Sequence, residues 1–149
     1  MFNIKEIYEI TNGKNINCNN DFFIKNISIN SKTIKENSLF IAIKGCNKDG
    51  HNYIRDAVSN GAKAVLISNK DFLKDLSALG VSVILVEDTS RALNKIAFAY
   101  KKKFKHISFL GITGSNGKTT TKEMIFHILS KYKKVFKTQG NFNNLIGVP

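Results

Sequence analysis

The chain has 149 residues, 42% of them hydrophobic, enough for one ordinary domain or for one small domain and part of another. Its formal net charge is +12, but 21 of the 23 basic residues are lysine, scattered through an asparagine- and isoleucine-rich background, so the charge reads as compositional bias and no nucleic-acid partner is expected. Cys18 and Cys46 show neither metal-ligand nor disulfide-framework spacing, no apolar run approaches membrane-spanning length, and the start of the chain turns charged at Lys5 and Glu6, so a cytoplasmic protein without membrane insertion is expected.

Taken in order, Asn3-Ile4-Lys5-Glu6 has the form of a capping box. Ile4, Ile7 and Tyr8 then share one helical face, and Gly13 is the expected stop. A polar loop over 15–21 leads to a strand at 22–24. Ile27-Ser28-Ile29-Asn30-Ser31 alternates apolar and polar residues, as a half-buried strand does. Leu39-Phe40-Ile41-Ala42-Ile43 is uninterruptedly apolar and reads as a buried strand, followed by a turn around 48–51. Tyr53, Ile54, Ala57 and Val58 fall on one face of a helix that Gly61 would end. Strands are expected at 64–67 and 81–86, with a short helix over 71–76 between them.

This alternation predicts an α/β layer with parallel pairing. From Asp88 or Thr89 a longer helix carries Leu93, Ile96, Ala97, Tyr100 and Phe104 as one apolar stripe. Its lysine-rich end suits the helix dipole. A domain boundary is expected near Lys105, giving units 1–105 and 106–149.

The second unit opens on an apolar strand over 107–110, then Gly111-Ile112-Thr113-Gly114-Ser115-Asn116-Gly117-Lys118-Thr119-Thr120, then a helix to about Ser130. The general phosphate-loop pattern G-x-x-x-x-G-K-S/T asks for glycine at 112, where Ile112 stands. Glycines at 114 and 117 nevertheless let several N–H groups converge, and the helix start adds unpaired donors and a positive dipole end. Gly114, Ser115, Asn116, Gly117, Lys118, Thr119 and Thr120 are the expected cradle, with Lys118 reaching the terminal phosphates and the Thr119 hydroxyl binding Mg²⁺. A glycine-rich turn without a ligand is the other reading. Met124, Ile125, Ile128 and Leu129 are the expected buried face of the helix, and 135–138 a second strand. Such a domain needs further strands, so the chain is expected to be the N-terminal piece of a longer enzyme.

These residues resemble the Mur ligases, ATP-dependent amide-forming enzymes of peptidoglycan precursor synthesis. That family uses the form G-x-T-G-x-x-G-K-T/S, which accommodates Ile112. The resemblance extends to Leu39-Phe40-Ile41-Ala42-Ile43-Lys44-Gly45, Asp49-Gly50-His51, Lys122-Glu123-Met124 and Gly140-Asn141-Phe142-Asn143-Asn144-Leu145-Ile146-Gly147-Val148-Pro149. The last of these is most similar to the branch that adds D-alanyl-D-alanine.

The resemblance implies a small N-terminal α/β domain that binds the UDP sugar, followed by the start of a P-loop α/β domain that binds ATP. It implies ligation of D-alanyl-D-alanine to UDP-N-acetylmuramoyl-tripeptide through an acyl phosphate, with ATP and Mg²⁺ and with Lys118 in the catalytic role. The isolated chain is expected to be inactive, and monomeric. Ser31 and Lys32 stand where relatives commonly place a hydroxyl and an arginine near the nucleotide sugar; lysine lacks the planar fork, and a polar strand end is the alternative. His51 either touches the nucleotide sugar or closes a turn. Asn141 and Asn144 carry amides able to hold substrate oxygens, or simply form a turn. His127 reads as a packing residue, and His106 has no partner visible in sequence. Two other readings stay open. One is another ligase of the superfamily, such as the tripeptide-forming one or a folylpolyglutamate synthetase, against which the 140–149 segment argues. The other is a non-catalytic UDP-sugar-binding module.

Overall fold

The computed structural model describes residues 2–17 and 21–138, and the chain divides into two compact units between Lys101 and Lys102. In the first unit, β1 (Phe2–Asn3) leads directly into α1 (Ile4–Thr11). The capping box forms as the sequence predicts. Asn3 Oδ1 accepts from Lys5 N at 2.9 Å, and Glu6 Oε2 accepts from Asn3 N at 2.7 Å. The helix ends one residue earlier than expected, at Asn12 rather than Gly13. Asn12 takes the left-handed conformation at φ 55°, which asparagine tolerates better than most residues. β1 pairs antiparallel with β3 (Phe23–Ile24), and β2 (Lys14–Asn15) joins the main sheet, although 15–21 reads locally as loop.

The main sheet has five strands in the order β2-β7-β6-β5-β4, where β4 is Asn26–Ser28, β5 Ser38–Ile41, β6 Ala62–Ile67 and β7 Ser82–Leu85. β4 to β7 are mutually parallel, and only edge strand β2 runs antiparallel, against β7. The strand expected at 27–31 stops at Ser28. Ser28 Oγ bonds both the carbonyl and the N–H of Asn30, and the Asn30 side chain then accepts from Lys32 N at 3.0 Å, turning 31–33 into a short 3-10 segment.

Period-two alternation separates the sheet's two faces. Leu39, Ile41, Ala64, Leu66, Ile84 and Val86 face one core, closed by Phe2, Ile4 and Ile7 and by Ala92 and Ile96 of α4 (Thr89–Lys102). Phe40, Ala42, Val65, Ile67, Val83 and Leu85 face the other, closed by Ile54 and Ala57 of α2 (Ile54–Ser59) and Leu76 of α3 (Leu73–Ser77). Helices thus cover both faces of a largely parallel sheet. The apolar stripe of α4 is centred on Ala92 and Ile96, flanked by Leu93, Ala99 and Tyr100, while Phe104 lies past the helix and is exposed. Asp88 caps α4, its Oδ1 accepting from Ser90 N at 2.7 Å and Arg91 N at 3.0 Å.

After β5 the chain makes a tight turn. Lys44 bridges Asp49, and Gly45 N donates to Lys48 O at 2.9 Å. Gly50 N then returns to Ile43 O at 2.9 Å, and a Cβ on Gly50 would stand 2.7 Å from both the nitrogen and the oxygen of Ile43. Gly50→Ala is therefore expected to destabilise the first unit by about 1–3 kcal/mol, because backbone must move to admit one methyl group. Urea unfolding checks this, and an unchanged midpoint would contradict the close approach.

The second unit holds α5 (Lys118–Leu129). Two expectations fail here. Residues 107–110 and 135–138 form no ladder among the described residues, and Met124, Ile128 and Leu129 are exposed on α5 instead of buried. An apolar pattern marks a surface suited to burial, but a strand needs a hydrogen-bonding neighbour and a helix face needs a covering layer. Neither is present among the described residues of this unit.

Candidate functional site

The glycine-rich loop of the second unit runs into α5 with Gly117 as the N-cap, in the left-handed region at φ 78°; Gly114 stands at φ 147°. Side chains rarely adopt either conformation, and this explains glycine at both places even though the surrounding space is open. No side chain caps α5, so its first-turn N–H groups keep the unpaired donors that draw anions to helix starts. The Lys118 ammonium folds over the loop, donating to Gly114 O at 2.6 Å and Ser115 O at 3.2 Å. One cation, uncapped donors and a tight backbone turn therefore converge. Ser115, Asn116, Thr119 and Thr120 are exposed around them. This donor set suits a phosphate chain. Thr119, the expected Mg²⁺ ligand, is exposed at the start of α5, and no group of three His, Cys, Asp or Glu that could hold a metal ion occurs among the described residues.

A second cluster beside the loop helix was not anticipated. Glu123 pairs with Lys137 and lies 3.7 Å from Lys122 Nζ, and the hydrogen bond from Lys137 holds its carboxyl below the ordinary range. Lys122 Nζ donates to Thr138 O at 2.8 Å, and Lys137 Nζ sits 4.1 Å from the Phe126 ring centre. These contacts tie 137–138 to α5. His127, expected to pack, is exposed and donates from Nδ1 to Glu123 O at 2.8 Å.

In the first unit, Ser31 is buried at the start of the 3-10 segment, and its carbonyl accepts from Asn60 Nδ2 at 3.0 Å. Lys32 is exposed beside it. His51 lies in the turn that enters α2, whereas Asn60 caps the other end of that helix, whose six residues span about 9 Å. Ser31 and His51 are thus set at opposite ends of α2. His51 is 2% exposed. Its Nδ1 meets Asp49 Oδ1 at 2.5 Å, and its Nε2 accepts from Ser68 N at 3.1 Å and Asn69 N at 3.3 Å. Burial raises the Asp49 pKa, but hydrogen bonds from the His51 backbone and ring outweigh it, and the net value falls below the ordinary carboxylate range. With the folded-state value depressed, the stabilisation from this bond is present above that range and is lost as pH falls through the folded value. The spacing Asp49-Gly50-His51 hinted at the Asp49 contact. Nothing local announced Ser68, Asn69 or Asn60. Asn141 and Asn144 lie outside the described residues.

Fold and loop together define a class: an α/β unit with a parallel-rich sheet, followed by a unit whose glycine-rich loop opens a helix. The chain belongs to the Mur ligase family. The family model described as "Mur ligase family, catalytic domain" matches residues 23–101, and "Mur ligase middle domain" matches 112–149. A UDP-N-acetylmuramoyl-tripeptide--D-alanyl-D-alanine ligase from Rickettsia prowazekii is 41% identical over 94% of this chain and 28% of its own length. A UDP-N-acetylmuramoyl-L-alanyl-D-glutamate--2,6-diaminopimelate ligase from Aquifex aeolicus is 46% identical over 71% of this chain and 21% of its own. The crystal structure of MurF ligase from Thermotoga maritima in complex with ADP is similar at a TM-score of 0.67 and 37% identity, over 84% of this chain and 28% of that one. The chain therefore spans under a third of the length of these relatives.

Proposed function

We propose that this chain belongs to an ATP-dependent ligase that joins D-alanyl-D-alanine to UDP-N-acetylmuramoyl-tripeptide. The observation that carries the reading is the 41% identity to a ligase of that name over 94% of the chain. ADP in the Thermotoga maritima relative supports nucleotide use, as does the convergence of Lys118 with the uncapped start of α5.

In this reading a tripeptide carboxylate oxygen attacks the γ-phosphorus of ATP, and the bond to ADP breaks. The amine of D-alanyl-D-alanine then attacks the acyl carbon of the acyl phosphate, and inorganic phosphate leaves with the bonding pair and takes up the proton that the amine gives up. Lys118 and the first-turn N–H groups hold the phosphates and balance the charge that develops on them. Mg²⁺ bound at Thr119 would neutralise further phosphate charge. The first unit holds the UDP sugar, with Ser31, Lys32 and the turn around His51 as its points of contact, and Asn141 and Asn144 contribute amides to the substrate. The protein works as a monomer in the cytoplasm.

Calorimetry of the 149-residue chain with UDP-N-acetylmuramoyl-tripeptide should show weak binding that Ser31→Ala reduces. A folded chain that gives no heat at millimolar ligand would end this assignment. Because the chain covers so little of its relatives' length, it should release no phosphate above background when mixed with ATP, Mg²⁺ and both substrates. Steady release abolished by Lys118→Ala would overturn that expectation. The match to the diaminopimelate ligase favours a second reading, in which the amine is diaminopimelate and the acceptor carries a dipeptide. Tighter binding of the UDP-dipeptide than of the UDP-tripeptide would select it.

A further inference from the structure

We propose that His51 is a positioning residue, a neutral imidazole locked as its Nδ1–H tautomer that ties the turn after β5 to the end of β6. Through that tie it shapes the part of the first unit assigned above to the nucleotide sugar. The consequence for substrate rests on that assignment; the lock itself does not.

The chemistry of the partners decides the tautomer. A carboxylate only accepts, so Nδ1, at 2.5 Å from Asp49 Oδ1, carries the proton. Backbone N–H groups only donate, so Nε2, reached by Ser68 N and Asn69 N, keeps its lone pair. Two independent elements thus demand the same neutral ring. Closing the turn alone would need only the 2.9 Å bond from His51 N to Asp49 Oδ1, which almost any residue at 51 can make. The side chain instead spans 17 and 18 residues to serve two donors where β6 ends. Its ring is buried and packs against Phe72 with centroids 5.4 Å apart, which restricts its orientation. With both nitrogens engaged inside the chain, His51 acts on a ligand by holding the 43–50 turn in place and not by touching the ligand.

The test begins with the wild-type chain. Nitrogen-15 NMR of the imidazole at neutral pH should show a protonated Nδ1 and an unprotonated Nε2. An Nε2–H or charged ring overturns the lock whatever any variant does. Next, amide exchange at Ser68 and Asn69 is compared in wild type, His51→Ala and His51→Gln. Alanine should speed exchange at both amides by roughly tenfold or more, and glutamine, whose carbonyl can reach the Nε2 position, should restore much of the protection. Equal exchange in all three would overturn the proposal. Finally, affinity for UDP-N-acetylmuramoyl-tripeptide should fall roughly tenfold in His51→Ala and largely recover in His51→Gln. Unchanged affinity in a folded His51→Ala chain rejects the positioning role. If wild type does not bind this ligand, the functional reading fails, and the tautomer and exchange results still decide the lock.

Discussion

Lys118→Ala, introduced into a ligase of the relatives' full length, should lower kcat by roughly 10²–10³-fold, the loss typical when one preorganised charge-stabilising group is removed. The Lys118 ammonium already stands at the mouth of the loop on the carbonyls of Gly114 and Ser115, beside the uncapped first turn of α5. In the proposed reaction it meets charge that grows as the γ-phosphoryl group transfers, and binding that strengthens in the transition state raises kcat. Affinity for the UDP sugar, assigned to the other unit, should barely change. Thr119 gives a separate signature. Thr119→Ala should raise the Mg²⁺ concentration needed for half-maximal rate, while Thr119→Ser, which keeps the hydroxyl, should be mild. Rate measured against Mg²⁺ for the three variants separates the roles. Small, equal losses with no change in Mg²⁺ requirement would mean that the loop is only a structural turn.

The largest expected stability effect belongs to Phe40→Ala. Phe40 is 1% exposed and fills the core between the sheet and the face covered by α2 and α3, against Ile54, Ala57, Val65 and Ile67. Truncation removes apolar burial and leaves a cavity that close-packed strands cannot collapse, at a cost of about 3–5 kcal/mol. With urea slopes of about 1–3 kcal/mol per molar, the unfolding midpoint of the first unit should fall by more than about 1 M. Phe23→Ala supplies the contrast, since Phe23 is 66% exposed on a two-residue strand and should cost far less. Equal midpoints for the two variants would show that the sheet is not layered as described.

The lesson of the sequence differs between the two units. Mostly apolar runs announced β5, β6 and β7, because strands covered on both faces leave little room for polar side chains, and the helical spacing of Ile54 and Ala57 announced the layer above them. The Asn3–Glu6 capping box and the glycine-lysine-threonine loop were equally legible, since each is decided within a few consecutive residues. β1 and β2 escaped notice. Each has two residues, and their partners lie at least 20 and about 70 positions away, so no local periodicity can reveal them.

What the amino-acid order determined alone, then, is what short-range physics decides: period, caps, turns and a backbone loop that only glycine can close. Tertiary structure decided the rest. It set Ser31 under Asn60 at one end of α2 and His51 under Ser68 and Asn69 at the other. It also left the apolar side chains of Met124 and Ile128 exposed where their pattern promised burial. The reason is common to all three. A hydrogen bond or a buried face needs a partner, and partners distant in the chain are selected by how strands and helices stack, not by which residues are neighbours in sequence.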